Sequence, residues 1–402
     1  MRSKKLAFVF EAVRFKKMMR ALRQKQARLF FFFPYCGMGG AERVHADILQ
    51  IFTEYHPLCF LSVRNSDQHF RSEFERSSNL IDLSIFLSLP YAFYKKQLAN
   101  LINQSPNAVV FGSNSNFFYQ LIPYLHPHVR VIDLIHAFQP DNAYSPEQIS
   151  LPVAERINQR IVLGKKTLQD FVQLYCQHGK SSNLAGRIHI IPNKIVPPPL
   201  LPIKPNNARL QILFVGRNAP EKRPKLFLDI AAYCLKKNIA ADFHLIGDFP
   251  NSTSVSNNVH IIGSIADRRN LNQYYQNADL ILITSWREGL PMVMLEAMAY
   301  GVVPISTNVG EINSVINDNN GILIEDSTIE LYQQSRSSTA EQQLLPCIES
   351  FAAQIAALNS DRRRLAVMSK NAYCTVSEKF SAQANREAYL NLFSAQTDIS
   401  ID

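Results

Sequence analysis

Short apolar runs separated by turn residues recur along the whole chain, and helical patterns follow most of them. In the C-terminal half the runs lie at 210–215, 242–246, 259–263, 278–284, 302–306 and 322–324. They are continuous rather than alternating, which is typical of parallel strands that are buried on both faces. Apolar residues spaced three and four apart over 225–237 predict a helix between the first two runs. This alternation predicts a parallel sheet covered by helices.

The N-terminal half has the same rhythm. Four phenylalanines at 30–33 suit a buried first strand, and further strands are predicted at 57–63, 108–111, 129–135 and 187–191. Residues 155–178 have a helical pattern. Two such units predict an α/β protein with two Rossmann-like domains that face a cleft.

A proline-rich stretch marks the predicted domain boundary. Five prolines between residues 197 and 205 cannot lie in a helix or a central strand. The predicted layout is a basic segment at 1–28, an N-terminal domain at 29–196, a linker at 197–208, and a C-terminal domain at 209–380. Residues 381–402 are expected to form a helix and tail that could pack back on the N-terminal domain.

The basic segment, residues 1–28, accounts for the formal net charge of +9. It holds one acid, Glu11, and ten of the 42 Lys/Arg residues, whereas bases and acids balance in the rest of the chain. The charge therefore indicates no general nucleic-acid surface, and no nucleic-acid partner is expected.

Within this segment an apolar stripe recurs at helical spacing, formed by Phe8, Ala12, Phe15, Met19 and Leu22. Such a helix could lie on an anionic membrane, or it could dock on the protein body with a solvated basic face. Both interpretations stay open, and residues 4–10 are also compatible with a strand.

Cysteine usage and hydropathy indicate a cytoplasmic protein. The six cysteines are scattered without a Cys-x-x-Cys pair, which favours reduced thiols over disulfides or a zinc site. No apolar run approaches the roughly 18 residues that span a bilayer, and no cleavable signal pattern is expected. The predicted location is the cytoplasm, with peripheral attachment to the inner membrane face if residues 1–28 bind lipid.

The stretch Ser285–Gly301 carries the main candidate chemistry. It follows a buried strand, with Pro291 suited to the first turn of a helix and Gly301 to the position beyond its end. Glu288 falls in the loop and Glu296 in the helix. The helix start between them offers free N–H groups that suit a phosphate. A ligand with hydroxyls at both ends and a diphosphate between them, such as a nucleotide sugar, matches this order.

Three further groups follow predicted strands, where ligands sit in open α/β sheets. Arg217 and Lys222 follow the strand at 210–215. Gly39 and Gly40 open a helix after the first strand, which suits either a phosphate loop or a plain tight turn. His136 follows the strand at 129–135, where a lone histidine is compatible with a structural or a functional role. His45, inside the predicted helix, is interpreted as structural.

The residues Gly216-Arg217 and Lys222, together with Glu288 and Glu296, which have seven residues between them, resemble retaining glycosyltransferases of family 4, which have the GT-B fold. Gly39-Gly40-Ala-Glu-Arg, His136, Ile191-Pro-Asn193 and Gly310-Glu311 extend the resemblance over roughly residues 29–375. It implies that Arg217 and Lys222 hold the donor diphosphate, that Glu296 binds ribose hydroxyls and that Glu288 contacts the transferred sugar. It also places other residues around the donor: Gly39, Gly40, His136, Gly289, Leu290, Pro291 and Met292.

The resemblance implies sugar transfer from a nucleotide-diphosphate donor, more often UDP, to a saccharide or lipid-linked saccharide in surface polysaccharide synthesis. The Asp-x-Asp motif that often holds a metal in other glycosyltransferases is absent from the chain. We therefore expect no metal or other cofactor, with Arg217 and Lys222 stabilising the departing phosphate. The alternatives are a nucleotide-sugar epimerase or hydrolase of the same fold, and a non-catalytic membrane-attached scaffold.

Overall fold

The computed structural model describes residues 2–86, 91–139, 142–250, 255–334 and 337–394. The chain forms two compact units, with divisions after Pro192 and after Asn385. Within the described ranges, no helix combines the length and the apolar content needed to cross a bilayer. The predicted tail beyond residue 394 lies outside the described residues.

The first unit is built on a parallel sheet of seven strands in the order β3-β2-β1-β4-β5-β6-β7. The strands are β1 Leu29–Phe33, β2 Leu58–Leu61, β3 Asn79–Asp82, β4 Val109–Ser113, β5 Arg130–Ile135, β6 Gln159–Val162 and β7 Ile188–Ile190. The helices are α1 Arg2–Gln24, α2 Gly40–Ile51, α3 Arg71–Ser77, α4 Tyr91–Asn103, α5 Asn116–Leu121, α6 Pro146–Ser150 and α7 Lys165–Gln177. Every residue of β1 is buried, as expected for a central parallel strand with helices on both faces.

Helix α1 docks on the first unit. Phe15, Met19 and Leu22 are buried in the core that also contains Phe86 and Tyr94. The Phe15 and Phe86 rings meet edge to face with centroids 5.3 Å apart. Most of the predicted apolar stripe therefore faces protein and is not available to a membrane. The alternative of a strand at residues 4–10 is wrong, since α1 runs through them.

The helix predicted over residues 155–178 is wrong in its first part, where the chain forms β6 before α7 begins. The charged residue in this strand, Arg160, hid it from a search for apolar runs. Arg160 is fully buried and its guanidinium donates to the Asp133 carboxylate on β5 at 2.6 Å. Strand β3 was also not predicted, because it is short and only one of its four residues is buried.

The second unit is built on a parallel sheet of six strands in the order β10-β9-β8-β11-β12-β13. The strands are β8 Leu210–Val215, β9 Ala241–Ile246, β10 Val259–Gly263, β11 Leu280–Ile283, β12 Val303–Thr307 and β13 Ile322–Ile324. The helices are α8 Pro224–Lys236, α9 Arg268–Asn277, α10 Met292–Met298, α11 Ile329–Gln333, α12 Ser337–Gln342, α13 Leu345–Ser360 and α14 Arg362–Lys379. All six strands lie where apolar runs occur in the sequence.

The proline-rich segment belongs to the second unit, because the division falls after Pro192, before the predicted linker. The Tyr373 hydroxyl donates to the Pro198 carbonyl oxygen at 2.8 Å. The Lys204 ammonium donates to the carbonyl oxygens of Tyr275 and Ala278 at 2.8 and 2.7 Å. Burial lowers the pKa of Lys204 to about 7. These bonds fasten the segment to the second unit, so it is not a free connector.

The last helix, α15 Ala382–Ser394, ends in the first unit. The Phe393 ring packs on Phe31 and Phe52, with ring centroids 5.9 and 4.3 Å apart. The Arg130 guanidinium donates to the carbonyl oxygens of Leu392 and Phe393 at the end of the helix. A cation on the free carbonyls of a helix C-terminus is a favourable arrangement.

Candidate functional site

The second sheet has a point where its strand order reverses, between β8 and β11. The chain proceeds outward in one direction through β9 and β10 and in the other through β12 and β13. At such a point the loops at the carboxyl ends of the two central strands diverge, and ligands bind in the crevice. The loops at 216–223 and 284–291 occupy this position and contain most of the predicted site residues.

Lys222 and Glu288 meet at this point. The Lys222 ammonium donates to both Glu288 carboxylate oxygens at 2.7 and 2.8 Å, and the Ser285 hydroxyl donates to one of them at 2.6 Å. The Glu288 side chain is only 8% exposed and that of Lys222 is 24% exposed. The two loops thus build a largely buried cation–carboxylate pair with an accessible cation.

Arg223, which sequence reasoning did not select, holds the loop after β11 in place. It has a left-handed backbone (φ 47°) at the start of α8. Its guanidinium donates to the Thr284 carbonyl oxygen at 2.5 Å and to the Asp326 carboxylate at 2.7 Å. Burial raises the pKa of Asp326, but the Arg223 guanidinium and two hydrogen bonds from Thr328 together outweigh that effect and hold the pKa below its ordinary value. The sequence offers no local signal for this role, since the partners of Arg223 lie 61 and 103 residues away.

The Gly310–Glu311 turn packs against the backbone of Glu288 and Gly289. The Glu311 N–H donates to the Gly289 carbonyl oxygen at 2.9 Å. Gly310 has φ 59°, and a Cβ there would lie 2.2 Å from the Glu288 carbonyl oxygen. Only glycine fits this close approach in a left-handed conformation. The turn therefore supports the loop that carries Glu288.

Arg217 remains available to a ligand. Its side chain is 63% exposed and forms a 3.4 Å ion pair with Glu221. An exposed pair of this kind is worth between zero and about 1 kcal/mol, so it would yield readily to a phosphate. The neighbouring Asn218 N–H donates to Asp248 at 2.6 Å, which joins the loops after β8 and β9.

Glu296 lies in α10 and contacts two side chains of α9. It accepts a hydrogen bond from the Tyr275 hydroxyl at 3.3 Å and lies 3.4 Å from the Arg268 guanidinium. Burial, aided by Glu296, raises the pKa of Tyr275 well above its ordinary value. Glu288 and Glu296, with seven residues between them, therefore lie in different environments.

Pro291 immediately precedes α10 and has ψ 117°. The sequence predicted this proline in the first turn of the helix, one position further on. The N–H groups of Met294 and Leu295 donate to the Pro291 carbonyl oxygen. The side chains of Leu290 and Met292 are buried in the domain. Phosphate binding by the N–H groups of residues 290–292 stays a prediction, as does any role of Gly289 beyond its bond to Glu311.

In the first unit, Gly39 and Gly40 begin α2, which follows β1. The Arg43 N–H donates to the Gly39 carbonyl oxygen at 3.0 Å, and the Met38 N–H donates to the Asp67 carboxylate at 2.6 Å. The loop after β1 is thus tied to the loop after β2. Binding of a diphosphate by the two glycines stays a prediction.

His136 follows β5 and forms a pair with His45 of α2. Their Nε2 atoms are 3.0 Å apart, and the Phe33 ring stacks on His45 with centroids 4.2 Å apart. One ring must donate and the other accept, so at least one of the two rings is neutral. Burial lowers the pKa of His136 to about 4, and burial together with His136 lowers that of His45 well below its ordinary value. His45, interpreted as structural, therefore positions the candidate functional histidine.

Glu147 supports the loop that follows His136. This buried carboxylate accepts a hydrogen bond from the Gln139 N–H. Burial raises the pKa of Glu147 above its ordinary value. Sequence reasoning missed this residue, because nothing near position 147 indicates that its side chain reaches back to the loop.

One segment of the chain matches a known protein family. Residues 209–337 match the family model described as Glycosyl transferases group 1. This range contains Arg217, Lys222, Glu288 and Glu296, together with all six strands of the second sheet.

Relatives with assigned roles match over part of their length. The O-antigen biosynthesis glycosyltransferase WbnH of Escherichia coli is 31% identical over 130 residues, which are 30% of this chain and 36% of WbnH. The UDP-Gal:alpha-D-GlcNAc-diphosphoundecaprenol alpha-1,3-galactosyltransferase of Escherichia coli is 26% identical over 131 residues, 29% of this chain and 33% of that enzyme. The matches thus span about a third of the length of these relatives.

Solved structures match nearly the whole chain. Anabaena Alr3699/HepE in complex with UDP aligns with a TM-score of 0.68 and 16% identity, over 91% of this chain and 99% of HepE. The lipopolysaccharide outer core galactosyltransferase WaaB aligns with a TM-score of 0.66 and 18% identity, over 90% of this chain and 98% of WaaB. At these identities the likeness shows the fold alone. The predicted α/β class with two Rossmann-like domains, the GT-B fold, is confirmed.

Proposed function

We propose that the chain is a retaining glycosyltransferase, because residues 209–337 match the family model described as Glycosyl transferases group 1. It moves a sugar from a nucleoside-diphosphate sugar to a saccharide or lipid-linked saccharide. The observation that carries the proposal is the Lys222–Glu288 pair at the strand-order reversal of the second sheet, with Arg217 exposed beside it in the loop after β8.

UDP is the proposed nucleotide, because HepE has been solved with UDP and with UDP-glucose. A lipid-linked saccharide acceptor is proposed because one relative acts on a GlcNAc-diphosphoundecaprenol. O-antigen synthesis by another relative favours a role in surface polysaccharide assembly.

In the proposed reaction the bond between the anomeric carbon and the diphosphate oxygen breaks as the acceptor oxygen bonds to the same face of that carbon. The acceptor's proton passes to the departing diphosphate, so no protein base is needed. The negative charge that develops on the diphosphate requires cations, and Arg217 and Lys222 would supply them without a metal. Glu288 would hold sugar hydroxyls, Glu296 would hold the ribose, and His136 would lie beside the sugar.

The test measures UDP binding by calorimetry, and transfer from UDP-sugars to a GlcNAc-diphospho-lipid in the presence of EDTA. Arg217→Ala and Lys222→Ala should each weaken UDP binding about tenfold or more, since each removes a charged hydrogen-bond donor. Lys225→Ala is the matched control, because this nearby lysine is 68% exposed and paired with Asp229. Unchanged UDP binding in both site variants would refute the assignment. Rapid release of UDP without acceptor would instead indicate a hydrolase.

Attachment to the inner face of an anionic membrane is proposed through the outer face of α1. Phe10 and Val13 are 65% and 63% exposed, although they are large apolar residues. Lys17 and Arg20 continue the same helical face, because the four positions are spaced by three and four residues. An apolar turn followed by cations suits the boundary between anionic headgroups and acyl chains.

The membrane proposal is tested by sedimentation with vesicles that contain phosphatidylglycerol. The double variant Phe10→Ser, Val13→Ser should reduce binding, and the remaining binding should disappear with added salt as the cations are screened. Val172→Ser, an exposed apolar residue on α7, is the control. Deleting the whole helix would be uninformative, since it would uncover the core around Phe15. Undiminished binding of the double variant would refute this assignment.

A further inference from the structure

The first unit contains a cavity of about 430 Å³ that the proposed chemistry has not used. Its lining residues follow β2 and β4, the two strands that flank β1, or lie on α5: Ser62, Val63, Asn114, Asn116, Phe117 and Gln120. We refer to it as the amide pocket. The strand order of the first sheet reverses between β1 and β4, so the amide pocket lies at the edge where open α/β sheets bind ligands.

The lining of the amide pocket is polar and uncharged. Two asparagines, a glutamine and a serine can each donate and accept hydrogen bonds, as sugar hydroxyls also do. Val63 and Phe117 supply apolar surface, which suits the C–H faces of a sugar ring. None of the described lining residues is a lysine or arginine, although the Lys95 ammonium donates to the lining residue Gln120. The volume lies within the range of roughly 300–1,000 Å³ that is usual for small-molecule sites.

The walls of the amide pocket are held in place by buried contacts. The Ser62 hydroxyl lies 3.0 Å from that of Ser115, which also accepts the Phe118 N–H at 3.3 Å and so caps α5. The Phe117 ring stacks on Tyr94 with centroids 5.8 Å apart. A site whose side chains are positioned before binding loses less entropy when the ligand arrives.

Two of the polar residues that line the pocket have a specific backbone conformation or a hydrogen bond that bears on ligand binding. Asn114 has φ 52°, a left-handed conformation that asparagine adopts more readily than most residues other than glycine. The Lys95 ammonium donates to the Gln120 Oε1 at 3.1 Å, which leaves the amide N–H groups of Gln120 for a ligand.

We propose that the amide pocket binds a neutral, hydroxyl-rich sugar residue of the acceptor. This inference rests on the proposed glycosyltransferase function and deepens it, because it names the class of acceptor residue and the side chains that select it. A sugar carboxylate or phosphate would gain a cation there only by taking Lys95 from Gln120, so charged sugars should bind more weakly than neutral ones.

The test is saturation-transfer-difference NMR on the full chain with methyl α-glucoside, methyl α-galactoside, methyl N-acetyl-α-glucosaminide and methyl β-glucuronide. At least one neutral glycoside should show transfer, and the glucuronide should show less. Asn116→Ala and Gln120→Ala change exposed residues, so both variants should fold. Each should weaken the neutral glycoside about five- to tenfold, as expected for one lost hydrogen bond. Gln177→Ala, at the exposed end of α7, is the matched control and should bind like the wild type.

UDP calorimetry on the same variants separates this inference from the proposed function. Asn116→Ala and Gln120→Ala should keep wild-type UDP affinity, and Arg217→Ala should keep the glycoside signal. Absence of any neutral-glycoside signal in the wild type, or an unchanged glycoside affinity in both pocket variants, would overturn the assignment of the amide pocket. If the wild type binds a neutral glycoside but not UDP, the proposed binding of the nucleotide-sugar donor would be refuted and a saccharide-binding site would remain.

Discussion

Replacing Glu288 by glutamine tests whether the Glu288 carboxylate competes with the nucleotide diphosphate for the Lys222 ammonium. Lys222 donates two hydrogen bonds of 2.7 and 2.8 Å to Glu288. A diphosphate that binds Lys222 must share or displace these bonds, and it must also approach a carboxylate. Glu288→Gln removes the carboxylate charge while keeping the size of the side chain and a hydrogen-bonding oxygen. We therefore expect tighter UDP binding together with slower sugar transfer.

The size of the effect follows from the geometry of the pair. Two unit charges about 2.7 Å apart interact by roughly 1.5 kcal/mol in water, and by about 6 kcal/mol at an effective dielectric constant of about 20. Lys222 keeps about a quarter of its side-chain exposure, so the lower part of this range applies. Lys222 can still share its hydrogen bonds between Glu288 and the diphosphate, so only part of this energy opposes UDP binding. Glu288→Gln should therefore make the free energy of UDP binding more favourable by about 1–2 kcal/mol, which corresponds to roughly five- to thirtyfold tighter binding.

Calorimetry with UDP on the wild type, Glu288→Gln, Lys222→Ala and the double variant gives the coupling between the two residues. Glu349→Gln is the control for the change in net charge, since Glu349 is an exposed residue on α13. The loss on removing Lys222 should be larger in the Glu288→Gln background than in the wild type. Equal losses in both backgrounds, or weaker UDP binding by Glu288→Gln, would refute the competition.

Three further predictions concern buried groups. His45→Ala should slow sugar transfer by about fivefold without changing UDP affinity, because His136 loses its hydrogen-bond partner. His45→Gln should restore part of the rate. Equal rates in the wild type and both variants would contradict the positioning role of His45. Arg160→Ala should lower the free energy of unfolding in urea by about 3–5 kcal/mol, since it leaves Asp133 buried without its cation. A loss below about 1 kcal/mol would show that the buried Arg160–Asp133 ion pair does not stabilise the fold in this way. Burial lowers the pKa of Lys204 from 10.5 to about 7, so the unfolded chain binds this proton more tightly. The free energy of unfolding should fall as pH drops through that interval and level off below it, whereas Lys204→Met should lack this part of the pH profile.

Sequence periodicity determined the parallel-sheet class, because a strand buried on both faces must be continuously apolar wherever it lies in the fold. The six strands of the second unit follow from this rule. The same rule failed at β6, where Arg160 interrupts the apolar run. Its charge is tolerated only because Asp133, 27 residues earlier, neutralises it in the neighbouring strand.

Sequence order also located most of the candidate site, because the residues that follow strands collect at one edge of a parallel sheet. Arg217, Lys222, Glu288 and His136 were all selected in this way. The contacts among them were not predictable, because each contact joins two loops or elements. The Lys222–Glu288 pair spans 66 residues, and the bond between His45 and His136 spans 91.

The helical stripe of α1 was evident in the sequence, but its partner was not. Periodicity shows that one face of a helix is apolar, and it carries no information about what covers that face. Only the tertiary structure placed Phe15 against Phe86, left Phe10 and Val13 exposed, and carried Phe393 from the end of the chain onto Phe31 of the first strand. The local pattern therefore determined which elements form, whereas contacts between residues distant in the sequence decided which surfaces and charges remain available to ligands.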